Sequence, residues 1–155
     1  RLDEIAAFDA HGHKKRMGEL LVETGVITLE QLEAVLDTQS EESHRRFGAL
    51  AVEHGYTTED VVARILAAQL RLPFVHIEAE TPEAGAVNLV SSHLARLHAC
   101  MPLRLLPDGA LRLAMANPLD LIALEDIELA SRSKVEPVVA APADVDAAIR
   151  RHYPG

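Results

Sequence analysis

Apolar residues in the first half of the chain recur at helical spacing, and the pattern comes twice. Arg16 to Gln39 read RMGELLVETGVITLEQLEAVLDTQ, and Arg46 to Gln69 read RFGALAVEHGYTTEDVVARILAAQ. In the first copy Leu20, Leu21, Val26, Ile27, Leu32, Val35 and Leu36 make an inward stripe. Gly25 and Gly55 each follow an apolar helical stretch, where a left-handed C-terminal cap favours glycine. Thr28 and Thr58 fall where the next helix needs an N-cap, and the acidic residues soon after each threonine suit the positive end of that helix. Each copy is therefore predicted to be a short helix, a tight turn and a longer helix.

The second half changes pattern. Pro73 ends the last motif helix, and Phe74 to Ile77 is a short apolar, β-branched run predicted as a strand. Thr81 to Asn88, with Pro82 and Gly85, reads as a connecting loop, followed by a helix from about Ser91 to Leu97. Met101 to Leu106 and Ala110 to Met115 flank Pro107–Asp108–Gly109, and an Asp-Gly pair between two apolar runs is a hairpin signal. Pro118 opens a helix to about Ser131, Val135 to Ala140 is a further strand, and Pro142 starts a final helix to about His152 with Asp144 in its first turn.

The order β-α-β-β-α-β-α predicts a small, mainly antiparallel sheet with helices on one face. The fold class is α+β: an N-terminal helical hairpin repeat packed with a small, mainly antiparallel sheet flanked by helices. Residues 1–15 are expected to be a loosely ordered N-terminal segment. Residues 16–72 form a tandem-motif helical subdomain, with motif I at 16–39 and motif II at 46–69, and residues 73–155 form a small α/β subdomain.

Aligned without a gap, the two copies share nine positions: Arg16/Arg46, Gly18/Gly48, Leu20/Leu50, Val22/Val52, Glu23/Glu53, Gly25/Gly55, Thr28/Thr58, Leu36/Leu66 and Gln39/Gln69. A helical hairpin accounts for most of these but not for the ends, because arginine and glutamine are usually solvated surface residues with no obligatory place in such a unit. Arginine offers a planar fork of donors suited to phosphate or to the O6/N7 edge of guanine, and a glutamine amide can donate and accept at once on a base edge. Glycine two residues after the arginine lets a ligand or another backbone come close. Two such sites point to a ligand with two equivalent halves, each carrying phosphate and base. The competing reading is a duplicated hairpin that kept an arginine and a glutamine as surface helix formers.

Composition changes the picture in three places. With 155 residues and 48% hydrophobic content the chain can bury a core in one or two small units, and no apolar run reaches membrane-spanning length. A net charge of −9 argues against long nucleic acids, whose binding depends on neutralising many phosphates. Yet His11, His13, Lys14, Lys15 and Arg16, with His44, Arg45 and Arg46, put two basic clusters at the starts of the motifs, and beyond a screening length of roughly 8 Å the acidic bulk matters little to a bound small anion. The single cysteine, Cys100, excludes an internal disulfide and reads as a buried inert thiol in a reducing compartment. Arg1 to Ala10 has no signal-like apolar segment, so a cytoplasmic protein is expected, reaching the inner membrane only through partners. His11-Gly12-His13 lacks matched cysteine or carboxylate partners and is assigned no metal.

The tandem blocks resemble the repeated motif of the MshE N-terminal domain (MshEN) family, the cyclic di-GMP-binding form of the N-terminal domain of type II secretion and type IV pilus assembly ATPases. That pattern is Arg-Leu-Gly, then spaced apolar residues and glycine, ending in glutamine, given twice with a short spacer. The resemblance continues through Leu70–Arg71–Leu72–Pro73–Phe74–Val75, through Ala114–Met115–Ala116–Asn117–Pro118, to Pro142–Ala143–Asp144–Val145 and Arg150–Arg151–His152–Tyr153.

The resemblance implies a site. Arg16 and Arg46 would contact the guanine and phosphate parts of the dinucleotide, Gly18 and Gly48 would give backbone access, and Gln39 and Gln69 would complete the polar contacts. Met17, Leu32 and Leu36, with Phe47, Val62 and Leu66, fall where the family puts apolar residues around the ligand. An acidic residue after the hairpin supports the site in relatives, and the aligned residue here is Asn117, which keeps the hydrogen bonding without the charge. The competing reading of Asn117 is an Asx-type N-cap before Pro118. Met17 and Phe47 stand in place of leucine, as does Val62, and the six-residue spacer from Ser40 to Arg45 is one longer than usual.

No catalytic pattern is present. The sequence has no G-x-x-x-x-G-K-[ST] loop, no G-x-S-x-G, no cysteine or histidine pair at nucleophilic spacing, and no paired carboxylates that stand out among 24 acidic residues. The resulting expectation is a non-enzymatic cyclic di-GMP receptor, without cofactor, that regulates a secretion or pilus ATPase. The alternatives are a module docking such an ATPase on its inner-membrane platform protein without ligand, and a pocket for ATP or GTP.

Overall fold

The computed structural model describes residues 5–42 and 44–154, and divides into two compact units between Arg71 and Leu72. The first four residues of the expected N-terminal segment, and Ser43 of the spacer, lie outside the described residues.

In the first unit four helices follow the duplicated sequence: α1 (Met17–Glu23), α2 (Leu29–Glu41), α3 (Phe47–Glu53) and α4 (Glu59–Leu70). The turns form for the reasons the residue types give. Gly25 and Gly55 have φ of 77° and 80°, a left-handed conformation that a side chain resists. The hydroxyl of Thr28 accepts from Gln31 N at 3.1 Å, and that of Thr58 from Val61 N at 3.3 Å, so each second helix starts on its threonine.

Packing then crosses the duplication, since α2 lies on α3 and α1 on α4. Leu20, Leu21, Ile27 and Ile65 are buried in one cluster, and Val35, Leu50 and Ala51 in another. Leu36, placed by periodicity on the inward stripe, is instead 47% exposed. Before α1, Phe8 and Lys14 form an antiparallel bridge around Gly12, and Ala7 is buried. The guanidinium of Arg71 sits 4.1 Å from the Phe8 ring centroid, a cation–π contact.

The second unit contains α5 (Ile77–Glu80), α6 (Ala84–Val87), α7 (Ser92–His98), β1 (Cys100–Leu105), β2 (Leu111–Met115), α8 (Leu121–Ser131), β3 (Val135–Val139) and α9 (Pro142–His152). The fold is α+β, as the element pattern requires. Its sheet is mixed rather than mainly antiparallel: β1 and β2 pair antiparallel, with Cys100 opposite Met115, while β2 and β3 pair parallel, with Leu111 opposite Val135. A parallel pair needs a crossover that returns the chain to the starting end, and α8, between β2 and β3, supplies it.

Three other expectations change. Phe74 to Ile77 is reduced to one bridge, Phe74 to Val139, because Ile77 N donates to Asp144 Oδ2 at 3.0 Å and turns into α5 instead of extending a strand. The loop expected from Thr81 to Asn88 holds the short helix α6. The helix expected from Pro118 begins at Leu121, since Asp120 caps it through Ala123 N at 3.1 Å.

Leu103, Leu111, Leu113, Met115, Ile127, Val138 and Val145 form the centre of the second core. Tyr153 closes it after α9, its hydroxyl within hydrogen-bond reach of the carbonyls of Val90 at 2.9 Å and Val87 at 3.2 Å. Helix α8 carries large apolar residues on its exposed side as well as its buried one. Ala123 and Ile127 are buried, whereas Leu121, Ile122 and Leu129 are exposed.

Candidate functional site

Arg16 and Arg46 stand at the starts of α1 and α3 with extended backbones, φ −76° and −78°, and both are exposed. Beside Arg16 the first unit opens into a groove of about 540 Å³, within the rough 300–1,000 Å³ range of small-molecule sites. Helix α1 contributes Met17, Gly18, Glu19, Val22 and Glu23, and Phe47 enters from the second copy. Helix α2 contributes Leu29, Leu32, Leu36 and Gln39. Those four are three or four residues apart and so share one helix face. Leu29 is 66% exposed and Leu36 47% exposed, so the groove wall leaves apolar surface in water that a flat purine could cover.

The charges at the rim are arranged locally. Glu19 Oε1 accepts the Arg16 backbone N–H at 3.3 Å. Lys15 Nζ donates to Glu23 at 2.9 Å, and that hydrogen bond holds the Lys15 amine above its ordinary pKa. The second copy repeats the pairing: Arg45 donates to Glu53, which raises the guanidinium further and holds the Glu53 carboxyl below the ordinary carboxylate range. The shared Glu23/Glu53 position thus has a structural partner in each copy, one residue ahead of the shared arginine.

Glycine at the third motif position is demanded by packing. A Cβ on Gly18 would lie 2.7 Å from Leu32 Cδ1 and 3.0 Å from Phe47 Cζ, and one on Gly48 would lie 2.6 Å from Val62 Cγ1. Leu32 and Val62 occupy equivalent places in the two copies. In each copy the first helix therefore rests its glycine on the same residue of the second helix.

The residues expected from sequence fall into two sets. Arg16, Met17, Gly18, Leu32, Leu36, Gln39 and Phe47 come together on the groove. Arg46, Gly48, Val62, Leu66 and Gln69 do not line it, and the residue of the second copy matching Leu29 is Glu59. Asn117 belongs to the second unit, where its Oδ1 accepts from Leu119 N at 3.2 Å in a local turn, and Asp120 rather than Asn117 caps α8. Sequence reasoning missed Glu19, Val22, Glu23 and Leu29 as groove residues. Val22 and Glu23 recur in the second copy and Leu29 precedes Leu32 on the same helix face, so all but Glu19 had a signal.

The two motif glutamines do not project freely. Gln39 Nε2 donates to the carbonyl of Arg45 at 3.0 Å, and Gln69 Nε2 donates to the carbonyl of Lys15 at 2.8 Å. No described helix is long and apolar enough to cross a membrane.

Known proteins share this fold. Residues 70–155, just over half of the chain, match the MshEN domain family. A structure of MshE with cyclic di-GMP (cdg) is 31% identical, with a TM-score of 0.75, and the match covers 90% of this chain and 100% of that one. The N-terminal domain of XpsE is 26% identical with a TM-score of 0.69, covering 90% of this chain and 94% of that one. The type IV pilus assembly ATPase PilB of Thermus thermophilus is 34% identical over 93% of this chain, and PilB of Myxococcus xanthus 28% identical over 89%. The chain spans only 20% and 24% of those two proteins' lengths.

Proposed function

The chain belongs to the MshEN domain family, and from that premise we propose that it is a cyclic di-GMP receptor acting on a secretion or type IV pilus assembly ATPase. The observation that carries the reading is the groove of the first copy, where the exposed Arg16 stands beside an open apolar wall of Leu29, Leu32, Leu36 and Phe47. A guanine base would cover the leucines, and the planar guanidinium would bond its O6/N7 edge or a phosphate. The likeness to the structure of MshE with cyclic di-GMP supports the choice of ligand.

In this proposal the second half of the dinucleotide reaches Arg46, whose neighbour Phe47 already enters the groove. Bridging both copies would fix their relative arrangement. Regulation of an ATPase then requires that the ligand bind one arrangement of the domain more tightly than another, because a ligand shifts an equilibrium only by its differential affinity.

Calorimetric titration with cyclic di-GMP, against cyclic di-AMP, GTP and ATP, tests the proposal. Saturable binding selective for cyclic di-GMP is expected, and Arg16→Ala should weaken it by roughly 1–3 kcal/mol through loss of charged hydrogen bonds. An absence of heat at several temperatures would sink it. The second reading, a module that docks such an ATPase on an inner-membrane platform protein without ligand, draws on the exposed Leu121, Ile122 and Leu129 of α8.

A further inference from the structure

The duplicated motif is tied together at its ends, and the ties cross. Gln39 closes the first copy, and its amide donates to the carbonyl of Arg45, immediately before the arginine of the second copy, at 3.0 Å. Gln69 closes the second copy, and its amide donates to the carbonyl of Lys15, immediately before the arginine of the first, at 2.8 Å across 54 positions of sequence. The carbonyl of Lys15 shares a planar peptide with the N–H of Arg16, so holding the oxygen fixes the plane from which the arginine starts, and its φ of −76° then sets the direction of the side chain. The Lys15 side chain is meanwhile held by Glu23, and Arg45 by Glu53, each within its own copy.

We propose that Gln39 and Gln69 are crossed positioning residues, each orienting the arginine of the opposite copy, so that each half of the site is completed by the other half's motif. The latch itself stands on the free protein's geometry, and only its effect on binding rests on the cyclic di-GMP reading. Two features favour this role over direct recognition. Each amide nitrogen is already engaged with a backbone carbonyl, and the same bond is made twice between equivalent atoms. The packing of α1 on α4 and of α2 on α3 brings each glutamine to the opposite copy's first helix. A glutamine at the last motif position is then required because that place needs a donor long enough to reach across, whatever sits in the groove.

The test uses the full chain with Gln39→Glu and Gln69→Glu, which keep length and shape but cannot donate to a carbonyl, and with Gln→Met at each position, which removes the donor without adding charge. Backbone amide shifts of the free, ¹⁵N-labelled protein are read first. Gln69→Glu is expected to move the amides of Arg16 and Met17 and leave those of Arg46 and Phe47 in place, and Gln39→Glu to do the reverse. Cyclic di-GMP titration is read second, with the uncharged Gln→Met variants: each should bind about 3- to 10-fold more weakly, in line with loss of one hydrogen bond. Gln69→Met should cost nothing further in an Arg16→Ala background but keep its cost with Arg46→Ala. Shifts confined to the variant's own copy, or a glutamine coupled to its own copy's arginine, would overturn the latch. A chain that shows crossed shifts and binds no cyclic di-GMP would keep the latch and remove the receptor reading.

Discussion

Gly48 meets Val62 so closely that a Cβ on the glycine would lie 2.6 Å from Val62 Cγ1. The equivalent approach in the first copy is 2.7 Å, to Leu32 Cδ1. Valine is branched at Cβ and stiff at χ1, whereas leucine can swing its terminal methyl. Gly48→Ala is therefore expected to destabilise the chain by about 1–3 kcal/mol through overpacking, and Gly18→Ala by less. Val62→Ala should recover most of the loss in the Gly48→Ala background, measured by denaturant unfolding. Equal costs for the two glycine variants, with no rescue, would refute this account.

Glu19 puts a carboxylate on the groove beside Arg16, and the second copy has Ala49 in its place. For a dianionic ligand that charge is unfavourable. Glu19→Gln keeps an oxygen to accept the Arg16 N–H, and is expected to tighten cyclic di-GMP binding by about two- to fivefold, as removal of one exposed like charge should. The gain should shrink as salt is added. Titrations at two ionic strengths would show it, and an unchanged or weaker affinity would place the ligand elsewhere.

Burial pushes the Cys100 thiol up to about 12, and raises the Tyr153 hydroxyl as well. A thiol reagent at pH 8 should leave the native chain unmodified and label it only on denaturation. Below the ordinary thiol pKa, near 9, folded and unfolded chains both hold the proton. Above it the unfolded chain ionises while the folded chain does not, so stability should fall as pH rises from about 9 towards 12. Unfolding curves between pH 8 and 11 would reveal a flat profile if the site were open to water.

Leu129 of α8 is 79% exposed. Leu129→Ser should leave stability within about 0.5 kcal/mol, since no packed contact is lost, and should leave cyclic di-GMP binding untouched. A large loss of stability would mean that the residue is covered in the folded chain.

The helices of the first unit were legible because their signals are local. Glycine with positive φ, threonine caps and 3.6-residue apolar spacing act within a few positions, and the structure places turns at Gly25 and Gly55 and caps at Thr28 and Thr58. Leu36 lies at the rim of the groove and not in the core; periodicity gives the stripe but not its edge, and an apolar residue at the rim of a groove has the same spacing as one in a core. The strand expected at Phe74 to Ile77 failed because Asp144, far along the chain, takes the Ile77 N–H.

The sequence by itself determined the duplication, the α+β class and the repeated arginines, glycines and glutamines, since these follow from spacing and from the chemistry of each side chain. Tertiary structure decided what those residues do to one another. It turned a repeated Arg-x-Gly into a packing contact with Leu32 and Val62, and each terminal glutamine into a bond to the opposite copy. It opened a groove on the first copy, where the second copy's counterpart of Leu29 is Glu59. Periodicity acts along one helix, whereas these relationships join different elements, from six to 54 positions apart, and only the folded backbone brings them within hydrogen-bond and van der Waals reach.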